Sequence, residues 1–421
     1  MEKVKSISHL QLFSMMFVST VFFSMMYSVY IMGNMSLLTY ALSAVAAGVC
    51  MFLVTLPLVG FRKKFDEGNI VKSVQVTKPA LSPIFAYLYG HCFIYSSVIS
   101  LAVFALLISN FINSDISFIV FLAVTVVCCY YAGSRGIVSI ARSGSLFLLL
   151  TVVSLLFIGT SLSYKINILN YSEIYLTSAR DIVSNTMLLI GQAFCVPAVF
   201  LFSHQTRGSL GKSIRLWAVL SYVAVAVIGF VSYGVLGEYL HLTPFPFYTA
   251  AQLTEIGAFQ RLDALFLAVV TIGLFINVSL SMYALRETVQ SSMRAEKAKF
   301  INPLSAVSVG VLAWLTVKFD WLRSYLLDAR VMLIVFLTVA VVLPVVALLL
   351  LTKKHIPQKA AKVGAVLTLA MLFIPMLTGC GSVQLEERML IKGIGVDATN
   401  SGYSLTIQYI DKFSDDEGQS N

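Results

Sequence analysis

The residues best suited to hold a ligand lie between Met187 and Pro197, a stretch reading Met-Leu-Leu-Ile-Gly-Gln-Ala-Phe-Cys-Val-Pro. It falls in an apolar run long enough to span a membrane as a helix. Pro197 has no backbone N–H and its ring collides with the preceding turn, while Gly191 lets the chain unwind six residues earlier. A helix interrupted within a membrane offers backbone polar groups to a small solute. Gln192, beside that interruption, carries an amide able to hydrogen-bond a polar ligand. The competing reading is a Pro-kinked packing helix in which Gly191 marks a close contact.

Other polar side chains sit inside apolar runs. They are Tyr27 and Tyr30 in the first, His91 and Tyr95 one turn apart in the third, and Asn277 in the eighth. Polar residues in spans tend to face the bundle interior, so these join the candidate ligand-binding set, with His91 also a proton-relay candidate. They could equally bond neighbouring helices. No acidic residue stands clearly mid-span, so no carboxylate coupling site is visible.

A second chemical signal is Leu377-Thr378-Gly379-Cys380. Lys353, Lys354, Lys359 and Lys362 precede an apolar run, Val363 to Leu377, that ends in small residues, the pattern of an export signal. The run is shorter than the roughly 20 residues of a spanning helix. Leu-Thr-Gly-Cys is also a lipobox, which predicts lipidation of Cys380. The plainer alternative is one more hydrophobic helix ending in Gly-Cys. The other cysteines, Cys50, Cys92, Cys128, Cys129 and Cys195, lie in apolar runs without metal-ligand spacing and read as small apolar side chains. Phosphate-loop, His/Cys-cluster and nucleophile-elbow motifs are missing from the sequence, so the reading is a non-enzyme with no cofactor and no metal site.

The elements that must position these residues follow from composition. Of 421 residues 58% are hydrophobic and 12% charged, against about 25% charged in soluble domains. The net charge of +9 does not point to nucleic acid, because the basic residues cluster between apolar runs. Ten runs long enough to span occur near 10–32, 36–59, 84–109, 116–134, 144–163, 184–203, 214–236, 262–285, 303–322 and 330–352. With the N-terminus cytoplasmic, Lys and Arg before the lipobox divide 20 inside against 6 outside, as the positive-inside rule requires. Ten crossings return the chain to the cytoplasm at Lys353, and the signal then delivers Cys380 to the external leaflet. The expected organisation is an all-α polytopic membrane domain over 1–357, a lipoprotein-signal-like segment over 358–380, and a short partial α/β exported tail over 381–421. In the tail, alternation of Tyr403, Leu405, Ile407 and Tyr409 predicts one strand. About forty residues are near the limit for independent folding, so the tail reads as the start of a larger exported domain. The loop from Leu242 to Tyr248, with Pro244 and Pro246, predicts an extended entry to a surface or re-entrant segment over 252–263.

Three stretches resemble the permease-type B subunit of spore germinant receptors. They are Ile7-Ser8-His9-Leu10-Gln11-Leu12, the segment from Tyr131-Ala-Gly133-Ser-Arg135-Gly136 to Ile140-Ala141-Arg142, and residues 238–284 with Pro246 and Ile256-Gly257-Ala-Phe259-Gln-Arg261-Leu262-Asp263-Ala264-Leu-Phe266. The tail, with Gly379-Cys380, Glu386-Glu387-Arg388 and Gly393-Ile394-Gly395-Val396-Asp397, resembles the beginning of the lipoprotein C subunit of the same receptors. The resemblance implies the fold of amino acid–polyamine–organocation transporters: two inverted five-helix repeats with helices one and six broken around the ligand. Gly191, Gln192 and Pro197 would then line the site. It further implies a small nutrient, an amino acid, bound in the inner spore membrane, with the signal passed to other receptor subunits. The alternative is a secondary amino acid transporter. Phe17 to Ile31 departs from the family in having no Gly or Pro, and the eighth run lacks the family's frequent Trp.

Overall fold

The computed structural model describes residues 6–32, 36–64, 69–111, 118–171, 178–243, 245–254, 263–293, 295–351, 390–399 and 402–410. The first half contains α1 (His9–Met32), α2 (Leu37–Val54), α3 (Leu56–Lys64), α4 (Ile70–Thr77), α5 (Ser82–Phe111), α6 (Phe118–Ser134) and α7 (Ile137–Ser163). The second contains α8 (Ala179–Gly191), α9 (Cys195–Phe202), α10 (Leu210–Leu236), α11 (Pro246–Gln252), α12 (Asp263–Ser292), α13 (Ala295–Lys318), α14 (Asp320–Leu326), α15 (Ala329–Leu337) and α16 (Leu343–Leu351). Among the described residues nine helical segments are long and apolar enough to cross a membrane, and α6 is a tenth, shorter apolar helix of 17 residues. At 1.5 Å per residue α6 is about 26 Å long, the short end of what a bilayer accepts. All ten coincide with the runs expected from sequence.

The packing explains which spans are central. In the span formed by α8 and α9, 89% of the most apolar window is buried, and in α1 83%, against 22% in α7 and in α13. Helix α1 packs on α7, α10 and α12; α2 packs on α10, and α5 on α12. The second span thus meets the seventh and the third meets the eighth, the pairing expected of two inverted five-helix repeats.

Proline and glycine account for the irregularities. The second span is interrupted at Thr55 between α2 and α3, and Pro57 falls at the second position of α3, in the first turn, where its missing N–H is tolerated. In the last span a π-helical turn at Thr338–Val342 separates α15 from α16. Pro344 follows it, and the wide turn absorbs the missing N–H and the ring clash. Gly136, at φ 92°, turns the chain from α6 into α7. Nothing lies within 4 Å of where a Cβ would stand there, so the cost of a side chain is purely conformational. Gly136→Ala should lower stability by about 1–3 kcal/mol, read as a reduced melting temperature in detergent with function retained.

Two features differ from the sequence expectation. The chain after Phe245 enters a helix at once: α11 begins on Pro246, a residue pre-organised for the first helical turn. It is buried through Phe247, Tyr248, Ala250 and Ala251; most of the expected surface or re-entrant segment, 255–262, lies outside the described residues. In the tail there are two strands instead of one, β3 (Leu390–Thr399) and β4 (Gly402–Ile410), paired antiparallel with an irregularity between Ile391 and Gly393. The lipobox, Cys380 and the segment preceding them lie outside the described residues.

A short ladder fastens the start of the chain. The segments Ile7–Ser8 and Thr206–Arg207 pair in parallel, Ile7 with Thr206 and Ser8 with Arg207. Ser213 Oγ donates to the carbonyl oxygen of His9 at 2.8 Å, so the N-terminus of α1 is held against the α9–α10 connection.

Candidate functional site

The predicted interruption of the sixth span exists. Helix α8 starts at a capping box: the Ser178 side chain accepts from the Asp181 N–H, and the Asp181 carboxylate accepts from the Ser178 N–H. It ends at Gly191, and α9 resumes at Cys195. Between them the Gln192 and Ala193 N–H groups donate to the carbonyl of Ile190, and the Phe194 N–H to that of Gln192. Pro197 lies in the first turn of α9. Its ring would clash with the carbonyl four residues back, at Ala193, which is where the helix is open. A helix that stops inside a bundle leaves carbonyls needing donors, and Tyr222 Oη donates to that of Leu189 at 3.2 Å.

Gly191 takes the part given it by the competing reading, a close contact. It has no positive φ; it is helical and lies against α15, where a Cβ would come within 3.1 Å of Leu333 N and 3.2 Å of Leu333 Cα. The glycine therefore allows two helix backbones to touch beside the break, and the unwinding follows at 192–194. An apolar cavity of about 350 Å³ adjoins this contact, lined by Ala46, Cys50, Met187, Ile190, Leu333 and Leu337.

Gln192 is 4% exposed, and its Nε2 has no hydrogen-bond partner. A buried donor left unpaired costs about 1–3 kcal/mol, so among the described residues Gln192 Nε2 is a side-chain donor at the break that lacks an acceptor in this conformation. Beside it, Phe194 is enclosed by three aromatic rings: Phe23 of α1 at 5.9 Å, Tyr95 of α5 at 5.7 Å and Phe336 of α15 at 6.3 Å between centroids. The rings come from both repeats and fill the space around the opening. Below them Thr20 of α1 accepts from Trp217 Nε1 at 2.9 Å and touches Cys195 Sγ at 3.9 Å.

The remaining predicted residues divide. Tyr95 stands at the break through its ring, while its Oη donates to the carbonyl of Leu326 at 2.5 Å. Asn277 is buried in a separate network: Ser19 Oγ donates to its Oδ1 at 2.7 Å, and its Nδ2 donates to Ser100 Oγ at 2.8 Å. That joins α1, α5 and α12 and occupies both ends of the amide. His91 is exposed on the outer face of α5 and stacks on Tyr87 at 6.2 Å, apart from Gln192. Tyr27 and Tyr30 belong to α1, but their side chains lie outside the described residues. Among the described residues no group of three or more His, Cys, Asp or Glu comes together. Phe23, Phe194, Phe336, Thr20 and Trp217 were not singled out from sequence. In runs already full of apolar residues, nothing marks which ring faces an opening.

One helix departs from two-fold symmetry. The first span, related by the repeat to the broken α8–α9, is a single helix from His9 to Met32. Two of its mid-span hydroxyls are spent locally: Thr20 Oγ1 donates to the carbonyl of Met16, and Ser24 Oγ to that of Thr20, both at 2.8 Å.

This architecture is that of membrane transporters for small solutes. A sodium-coupled sialic acid symporter, solved with substrate in an outward-open state, superposes with a TM-score of 0.53 at 14% identity, covering 87% of this chain and 93% of the symporter. A nucleobase–cation-symport-1 family transporter, solved closed with bromovinylhydantoin bound, gives 0.56 at 15% identity, covering 89% and 90%. The chain belongs to the spore germination protein family of permeases, whose family model matches residues 6–318. No match was found among curated proteins. The chain is thus a multi-pass membrane protein of spore germination with a transporter fold.

Proposed function

We propose that the chain is the nutrient-binding membrane subunit of a spore germinant receptor, with a small zwitterion such as an amino acid held at the α8–α9 break. The observation that carries this is the buried, unpaired Gln192 Nε2 beside an interrupted helix. The C-terminal end of α8 carries partial negative charge and the N-terminal end of α9 partial positive charge, a pair of poles suited to an ammonium and a carboxylate. Gln192 would add a neutral donor. The Phe194 cluster closes the opening, so a ligand that enters must move that ring and thereby select a second conformation, which is all that signalling to partner subunits requires. The test is equilibrium binding of a panel of amino acids to the purified chain. Saturable binding of one or a few of them supports the reading; no binding of any polar nutrient counts against it. The symporter fold favours a second reading, a secondary amino acid transporter.

The assembly belongs to the same proposal. The charge distribution supports a cytoplasmic N-terminus in the inner spore membrane, with Cys380 and the tail outside. Other germinant receptor subunits would be the partners, and the tail would be the start of a lipoprotein subunit. Mass measurement of wild type beside Cys380→Ala, from a host that processes lipoproteins, should give a lipidated fragment beginning at Cys380 that the substitution abolishes. One unmodified full-length species in both would instead make the segment over 358–380 an ordinary eleventh helix.

A further inference from the structure

We infer that the corner formed by α14 and the start of α15 reads out the state of the α8–α9 break, with Tyr95 as the link. The corner joins α13 to α15 on the side that the charge distribution makes external. Helix α14 has seven residues, too few to stand on its own hydrogen bonds, so tertiary contacts hold it. Arg323 pairs with Asp320 at 2.5 Å, and its Nη1 donates to the carbonyl of Val317 at 3.3 Å, which fastens the first turn to the end of α13. The last turn is held from inside the bundle. Leu326 closes α14, and its carbonyl is one that a helix end leaves without an intrahelical donor. Tyr95 Oη supplies that donor. Leu327 beside it is buried, whereas Trp321 and Tyr325 are exposed.

Tyr95 does two things at once. Its hydroxyl caps α14, while its ring stands edge-on to Phe194 at 5.7 Å, inside the opening at 192–194. On the other side of the corner, α15 meets the break directly, through Leu333 against Gly191 and Phe336 against Phe194. The corner is therefore anchored to the break along α15, and the Tyr95 hydroxyl is the contact able to let go. Tyr95 is 4% exposed, and at interior packing density a buried ring does not keep its place when the ring beside it leaves. Displacing Phe194 thus withdraws the support of Tyr95 and frees the carbonyl of Leu326. The last turn of α14 loosens, and a change at a buried opening appears on an exposed helix. This holds whichever solute displaces Phe194.

The test is amide hydrogen exchange of the purified chain in lipid nanodiscs with no nutrient added, so its outcome is separate from that of the binding experiment above. Tyr95→Phe keeps the ring and removes the hydroxyl. It should speed exchange of the amides at 323–328 by about 2- to 10-fold, the worth of one neutral hydrogen bond. Phe194→Leu, which removes the neighbouring ring, should speed the same amides. In the double variant the rise should be no larger than with Tyr95→Phe alone, because the bond that carries the effect is already gone. Tyr89→Phe is the control. Tyr89 also lies on α5, and its Oη donates to the carbonyl of Val339 in the last span at 3.2 Å, so its loss should leave 323–328 unchanged. If Phe194→Leu does not fold, Tyr95→Phe against Tyr89→Phe decides the matter. Unchanged exchange at 323–328 in either test variant, additive rises in the double variant, or an equal rise with Tyr89→Phe would overturn the inference.

Discussion

Replacing Gln192 by leucine should weaken nutrient binding by about 10- to 100-fold, the range for a hydrogen bond to a charged group, without loss of stability. The two halves of this expectation have one cause. In the unliganded conformation Gln192 Nε2 is buried and makes no hydrogen bond, so the folded protein has little to lose when the amide goes. Leucine fills a similar volume and removes a donor whose burial costs about 1–3 kcal/mol. The melting temperature in detergent should therefore stay level or rise while binding falls. A residue present only for packing would show the reverse: lower stability and unchanged affinity in the fraction that folds.

Trp217→Ala should be the most damaging single change to the membrane domain, at about 3–5 kcal/mol. Trp217 is wholly buried and links three elements around the break. Its Nε1 donates to Thr20 on α1, and its ring lies edge-on to Tyr222, 6.4 Å away. Tyr222 in turn donates to a carbonyl at the end of α8. Truncation leaves a cavity of indole size and frees Thr20 Oγ1 from its donor. A large fall in melting temperature is expected, and Trp217→Phe should recover much of it by refilling the space without the N–H. Equal losses in both variants would assign the effect to the hydrogen bond rather than to packing.

The spans were legible in sequence because membrane burial demands long unbroken apolar runs, and all ten runs are helices. The sixth-span interruption was legible through Pro197, whose effect is local and geometric. Gly191 was read either for its freedom to unwind or as a close contact, and the partner of that contact, Leu333, lies on a helix 142 positions later in the chain (333 − 191). No local pattern carries that information. Asn277 and His91 looked alike as polar residues in spans; the fold satisfies one inside the bundle and turns the other outward. The strand at Leu390–Thr399 escaped notice because Gly393, Gly395 and Asp397 dilute its alternation, whereas Tyr403 to Tyr409 keeps theirs. The continuity of α1 was foreshadowed by the lack of Gly and Pro between Phe17 and Ile31.

That continuity bears on the choice between receptor and transporter. A transporter of this architecture works by alternating access around a site formed by discontinuous helices. Here only the span of the second repeat is open, and α1 remains helical through Met32. One open helix can hold a ligand and respond to it, while the unbroken α1 supplies no matching open turn. The most direct test is to place the purified chain in liposomes, impose sodium and proton gradients, and follow a labelled amino acid that binds it. The account predicts saturable binding with no accumulation above the equilibrated concentration. Concentrative uptake driven by either gradient would contradict it and establish the chain as a transporter.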